Sequence, residues 1–229
     1  VRGQREGLGG ELGKALERSL LGASAVAGLS GAASGERGGS AHGGHHGAGS
    51  ALDMAQLCIQ RGKTCWVLQV DALVLNAEGS LLDALSIAVK AALADTKIPK
   101  VTAVAGPSAE DPAELELDDD PEECSRLDVS GVPLIVTLTR VGLHAVVDAT
   151  DDEESHMSAA LSVGVDVKGQ VRSVGKRGGG GIDLGVMRGM VRTAREIGGS
   201  LIRAVDAFLL TAASGAAAGG DGDEEGDED

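Results

Sequence analysis

Between residues 134 and 210 the chain places four β-rich runs ahead of one long helical stripe, and that order leaves few architectures open. Residues 134–140, 144–148, 159–166 and 170–174 are rich in aliphatic and β-branched side chains, and Lys168-Gly169 joins the last two as a hairpin. After the glycines at 178–181, Leu184, Met187, Val191, Ala194, Ile197, Leu201 and Val205 recur at helical spacing, which predicts one helix over 182–210. A helix with a single apolar stripe must bury it, and the adjacent strands are the surface at hand. The expected layering is α+β, with strands gathered in sheets and helices packed on one face.

Upstream, Leu8, Leu12, Ala15, Leu16, Ser19 and Leu20 mark one face of an amphipathic helix over 6–21. Residues 22–50 then turn to Gly, Ala and Ser, too poor in bulky apolar groups to order themselves, and read as a flexible insertion. Its histidines, His42, His45 and His46, lack a local carboxylate or cysteine partner, so no metal site is expected there. Residues 64–76 alternate, with Trp66, Leu68 and Val70 on one side, and predict a well-buried strand. Ser80 and Asp83 suggest a capping-box-like start to a helix over 80–96, which Pro99 forbids from continuing. The prolines and carboxylates of 106–126 predict an exposed acidic connection rather than a metal site.

Charge and aromatic content narrow the function. The net charge is -15 at pH 7, and the acid-rich last residues, Asp221 to Asp229, read as a disordered, solubilising tail within a segment covering 213–229. The remaining body is still acidic, so contact with nucleic acid requires a local basic patch. Trp66 and Phe208 are the only aromatics, which argues against a self-sufficient module that stacks bases. Three cysteines without CxxC spacing, Cys58, Cys65 and Cys124, predict reduced, partly buried thiols of an intracellular protein. No apolar run approaches membrane-spanning length and no signal peptide is legible, so a soluble chain is expected.

The stretch Cys65-Trp-Val-Leu-Gln-Val-Asp-Ala-Leu-Val-Leu-Asn, continued by Gly79-Ser-Leu-Leu-Asp-Ala-Leu-Ser-Ile-Ala-Val-Lys, resembles the strand-helix core of RNase PH-fold proteins. Val132-Pro-Leu-Ile-Val-Thr-Leu, Val146-Val-Asp-Ala-Thr-Asp-Asp-Glu-Glu and Val174-Gly-Lys are similar to the second half of the RNase PH-like ring subunits of the RNA exosome. The resemblance implies an RNase PH-like, ribosomal protein S5 domain 2-like fold without its first strands, since the chain begins just before the first long helix. Residues 1–105 would form a partial first half and 127–212 the second half. It further implies a ring subunit that meets other RNase PH-like subunits and cap subunits, with RNA passing through the assembled channel and no membrane partner. Nucleus, nucleolus and cytoplasm would be its compartments, serving 3′-5′ RNA processing and degradation.

The same resemblance bears on catalysis. Phosphorolysis needs a cationic cradle for phosphate together with carboxylates that place a metal or move a proton. Active relatives carry a Gly-Thr-Arg turn before the helix, whereas Gly79-Ser80-Leu81 stands here, and a leucine cannot hydrogen-bond phosphate. Asp148 and Glu154 are vestiges of the family's acidic signature, so a non-catalytic subunit without cofactor or metal is expected. The alternative is an active phosphorolytic 3′-5′ exoribonuclease built on the acids from Asp148 to Glu154. Lys176-Arg177 and the glycines at 178–181 lack a Gly-Lys-Ser/Thr ending and read as a flexible turn rather than a phosphate loop. For RNA contact the candidates are Arg2 and Arg5, placed by the resemblance toward the ring interior, and then Arg61 and Lys63.

Overall fold

A computed structural model describes residues 9–21, 51–104, 114–118, 120 and 123–218. Arg2, Arg5, the insertion with His42, His45 and His46, and the acidic residues 221–229 lie outside the described residues. Helix α1 covers 9–21, followed after residue 50 by a 3-10 turn, Met54–Leu57. The order continues β1 (Cys58–Gln60), β2 (Thr64–Cys65), α2 (Leu81–Asp95), β3 (Lys97–Pro99), β4 (Val101–Val104), β5 (Glu114–Leu117) and β6 (Cys124–Arg126). The second half holds β7 (Leu134–Val141), β8 (His144–Val147), α3 (Asp151–Ser155), β9 (Ala159–Val165), β10 (Val171–Arg177) and α4 (Leu184–Ala218).

The four β-rich runs form the principal sheet, antiparallel throughout, in the order β10-β9-β7-β8. β7 and β9 are buried almost along their whole length because helices cover both faces. On one face Val136, Leu138, Leu161 and Val163 pack against Met190 and Ala194 of α4. On the other, Ile135 meets Leu12 of α1 and Leu82 of α2. Helices were expected on one face only; the two-sided arrangement follows from β7 and β9 carrying apolar or small residues at successive positions, so neither face tolerates water. α4 approaches closely at Gly198, where a Cβ would stand 3.0 Å from the Val165 side chain.

Other expectations hold less well. The expected strand over 64–76 is a strand only at Thr64–Cys65; Trp66 N still donates to Leu57 O, and residues 67–77 have no strand partner among the described residues. Trp66 and Leu68 pack on the first core cluster, but Val67, Leu73 and Leu75 are exposed at 84%, 85% and 91%. Period-two alternation describes a strand's faces and says nothing of whether a neighbour is present to take its hydrogen bonds. The expected loop over 106–126 contains β5, paired with β4, and the whole of β6, paired with β3. Cys58 and Cys65, expected to be partly buried, are exposed, and only Cys124 is of intermediate burial. The helix over 80–96 is present, but Ser80 sits in the left-handed region (φ 43°, ψ 37°) and makes no side-chain cap, so the capping-box reading is wrong.

Candidate functional site

The start of α2 is built around Gly79 and Ser80. Gly79 has φ +123° and forms an isolated antiparallel bridge with Thr150, so the backbone turns sharply into the helix against the acidic segment. Ser80 Oγ donates to Ala149 O at 3.4 Å, and Asp151 N donates to Glu78 O at 3.0 Å. These bonds join two segments some seventy residues apart, through side-chain and backbone groups that hydropathy does not register.

Three of the acids in the 148–154 stretch have defined tasks. Glu153 completes a capping box with Thr150, accepting from Thr150 N at 2.9 Å while Thr150 Oγ1 accepts from Glu153 N. Glu154 Oε1 accepts from Ser80 N at 3.2 Å and lies 3.5 Å from Arg177 Nη2. The Arg177 contact is an ion pair without hydrogen-bond geometry, since Arg177 Nε and Nη2 are buried without a hydrogen-bond partner. Asp148 stays exposed at φ 54° and adds its negative charge to the surroundings of Asp83. Among the described residues no three His, Cys, Asp or Glu side chains converge as metal ligands would.

Asp83, read from sequence as part of a cap, instead turns to the sheet. Its carboxylate accepts from Thr137 N at 2.6 Å and Thr137 Oγ1 at 2.5 Å, and Thr137 Oγ1 in turn lies 2.8 Å from Ser162 Oγ. Burial pushes the Asp83 carboxyl up to about 6, against the opposing pull of the Thr137 bonds and the Arg177 charge, with Asp148 pushing it further up. The folded state therefore holds a proton between the ordinary value of 3.8 and about 6 that the unfolded chain has released. Stability should fall as pH rises through that window, by roughly 3 kcal/mol or less. In urea titrations at pH 4 and pH 7, Asp83→Asn should remove that slope; a slope equal to the parent's would refute the assignment.

Beside Arg177 a cavity of about 590 Å³ opens between α1 and β10, bordered by Lys14, Arg18, Lys176 and Arg177, with Glu11 opposing them. The glycine-rich turn after β10 is packed rather than open. Gly180 N donates to Ser158 O at 2.8 Å, Lys176 Nζ donates to Gly178 O, and a Cβ at Gly178 would lie 2.9 Å from Ser158 O. Its amides are thus not arrayed as a phosphate loop. Arg61 and Lys63 lie exposed at the β1–β2 turn, with no contact to the acidic segment among the described bonds. The structure brings Asp148 and Glu154 to the α2 start and leaves Arg61 and Lys63 apart. Sequence reasoning missed Asp83 and Arg177; a carboxylate three residues inside a helix start was the available signal for the first, and no local signal marks the second.

Residues 4–99 match the 3′ exoribonuclease family, domain 1, and residues 131–197 match its domain 2. The chain is 41% identical over 151 residues to a Dictyostelium discoideum protein named as exosome complex exonuclease RRP42, covering 66% of this chain and 46% of that one. It is 34% identical over 144 residues to the exosome complex component Rrp42 of Pyrococcus furiosus, covering 63% of this chain and 49% of that one. A solved archaeal exosome core chain is similar with a TM-score of 0.51 and 26% identity, over 68% of this chain and 57% of that chain. The chain spans about half the length of these two curated relatives.

Proposed function

Because the chain belongs to the 3′ exoribonuclease family of RNase PH-like proteins, matching both of its domains, we propose that it serves as a non-catalytic ring subunit of the RNA exosome. The observation that carries the silent reading is at the α2 start. There Leu81 stands where the resemblance calls for a phosphate-binding arginine, and the Ser80 amide is already taken by the carboxylate of Glu154. An internal carboxylate on that amide repels an incoming phosphate and holds Glu154 away from metal or proton-transfer duty. Arg177 is drawn to the same carboxylate.

On this reading the subunit contributes surface rather than chemistry. Its partners are other RNase PH-like ring subunits and cap subunits, and RNA reaches it only within the assembled channel, where Arg2, Arg5, Arg61 and Lys63 are the proposed contacts. Nucleus, nucleolus and cytoplasm are the proposed compartments, and rRNA maturation and RNA turnover the proposed processes. The nearly aromatic-free, acidic composition supports a subunit that does not hold RNA by itself.

The test is co-expression of the full chain with RNase PH-like ring subunits, followed by size exclusion and a phosphate-dependent exoribonuclease assay. The expected result is co-elution with no release of nucleoside diphosphates attributable to this chain, so that Asp148→Asn leaves the ring's activity unchanged. The name of the Dictyostelium relative favours the second reading, an active phosphorolytic exonuclease using the acids from Asp148 to Glu154. Phosphate-dependent release that Asp148→Asn abolishes would establish that reading and overturn the first.

A further inference from the structure

We infer that Cys58 and Cys65 form a redox-active dithiol that closes reversibly into a cross-strand disulfide by exchange with a low-molecular-weight disulfide. The two residues are register partners in the antiparallel pair β1–β2, just outside an irregularity of the ladder between Cys58 and Gln60. In such a pair, residues that exchange backbone bonds alternate with residues that do not. Trp66 N donates to Leu57 O at 2.7 Å, so Leu57 and Trp66 are the bonded pair, and the Cys58 N–H is turned away to Ala55 O. Cys58 and Cys65 therefore occupy a non-hydrogen-bonded position, where Cα atoms stand about 4.5 Å apart and side chains lie closest. A disulfide spans Cα separations of about 4.4–6.8 Å, a range that includes the spacing of such a position.

Access and charge agree with this assignment. Both thiols are free and exposed, whereas Cys124 lies on β6 opposite Pro99. The turn that joins the two strands carries Arg61 and Lys63, exposed and without an ion pair among the described residues. A positive tip draws an anionic disulfide such as oxidised glutathione to the pair. Exposed bridges closing short loops are the readily reduced kind rather than permanent staples.

The exchange balances in two steps. One cysteine, as thiolate, attacks a sulfur of oxidised glutathione, forming a mixed disulfide and expelling one glutathione thiolate. The second cysteine gives up its proton and attacks the protein sulfur of the mixed disulfide, expelling the other glutathione thiolate. Two protein thiols are oxidised to one disulfide, one glutathione disulfide is reduced to two thiols, and the protons pass to the departing thiolates. The bridge would lock the ladder next to the Leu57–Trp66 pair, after which residues 67–77 form no strand.

The full chain should be equilibrated in glutathione buffers of increasing oxidised fraction, quenched with iodoacetamide and mapped by mass spectrometry without reduction. Cys58 and Cys65 are expected to lose alkylation together and appear in one cross-linked peptide, while Cys124 stays alkylated; added reduced glutathione should restore both. In Cys58→Ser, Cys65 should carry glutathione instead of a bridge, and Cys65→Ser should mirror it. Independent glutathionylation of both residues in the parent chain, or bridging to Cys124 or to a second chain, would overturn the inference.

Discussion

Gly79→Ala is expected to destabilise the protein by about 4 kcal/mol, a large share of the stability of a domain of this size. The residue sits at φ +123°, a conformation that costs an L side chain of order 1–3 kcal/mol by itself. A Cβ would also stand 2.1 Å from Ala149 O and 2.9 Å from Thr150 Cα. Those are backbone atoms, fixed by the Gly79–Thr150 bridge and by the bond from Asp151 N to Glu78 O, and they cannot swing aside as a flexible side chain would. Urea unfolding gives the measurement. A loss under about 1 kcal/mol would mean that the α2 start is not locked to the acidic segment as described.

The second large effect concerns a buried cation. Lys90 on α2 has a fully buried side chain whose Nζ lies 2.9 Å from Asp206 Oδ1 of α4 and 3.4 Å from Val132 O. Asp206→Ala would leave that ammonium with one carbonyl for company, and losing a partner from a buried pair costs about 3–5 kcal/mol. Asp206 is 37% exposed, so water can partly replace it, and a loss near 3 kcal/mol is expected. Lys90→Met should cost less, about 1 kcal/mol, because the apolar chain needs no counter-charge and the Asp206 carboxylate left behind is 37% exposed and can be hydrated. Equal losses in the two variants would show that packing, not the uncompensated charge, governs the site.

Much of the fold was legible because it follows from short-range periodicity. The helix stopped before Pro99 and the four strands of the main sheet lie within a few residues of their expected bounds, whereas α4 starts as expected and runs to Ala218, eight residues past its expected end and into the segment read as a disordered tail. The hairpin at Lys168-Gly169 needed only its turn chemistry; Asp166 Oδ1 accepts from Lys168 N and Gln170 N, as a tight turn with a carboxylate at its base should. Less legible were features that depend on a neighbour remote in the chain. Residues 67–77 have the alternation of a strand and no strand beside them among the described residues, while the acids and prolines of the 106–126 stretch hid short strands that pair with β3 and β4 just upstream.

The candidate site divides in the same way. Leu81, Asp148 and Glu154 were singled out through the family resemblance, which contiguous residues carry. That Asp83 is a half-buried, proton-retaining acid held by Thr137, or that Arg177 reaches the carboxylate bound to the Ser80 amide, depends on how β7 and β10 lie against α2. The register that sets Cys58 against Cys65 belongs to the same class. By itself the sequence determined the long helices, the strands of the main sheet and the family to which the chain belongs, since local dihedral preference and hydrophobic period act over a few residues. Only the tertiary structure decided which charges are desolvated and which groups meet, because burial and pairing are set by chain segments that the sequence keeps far apart.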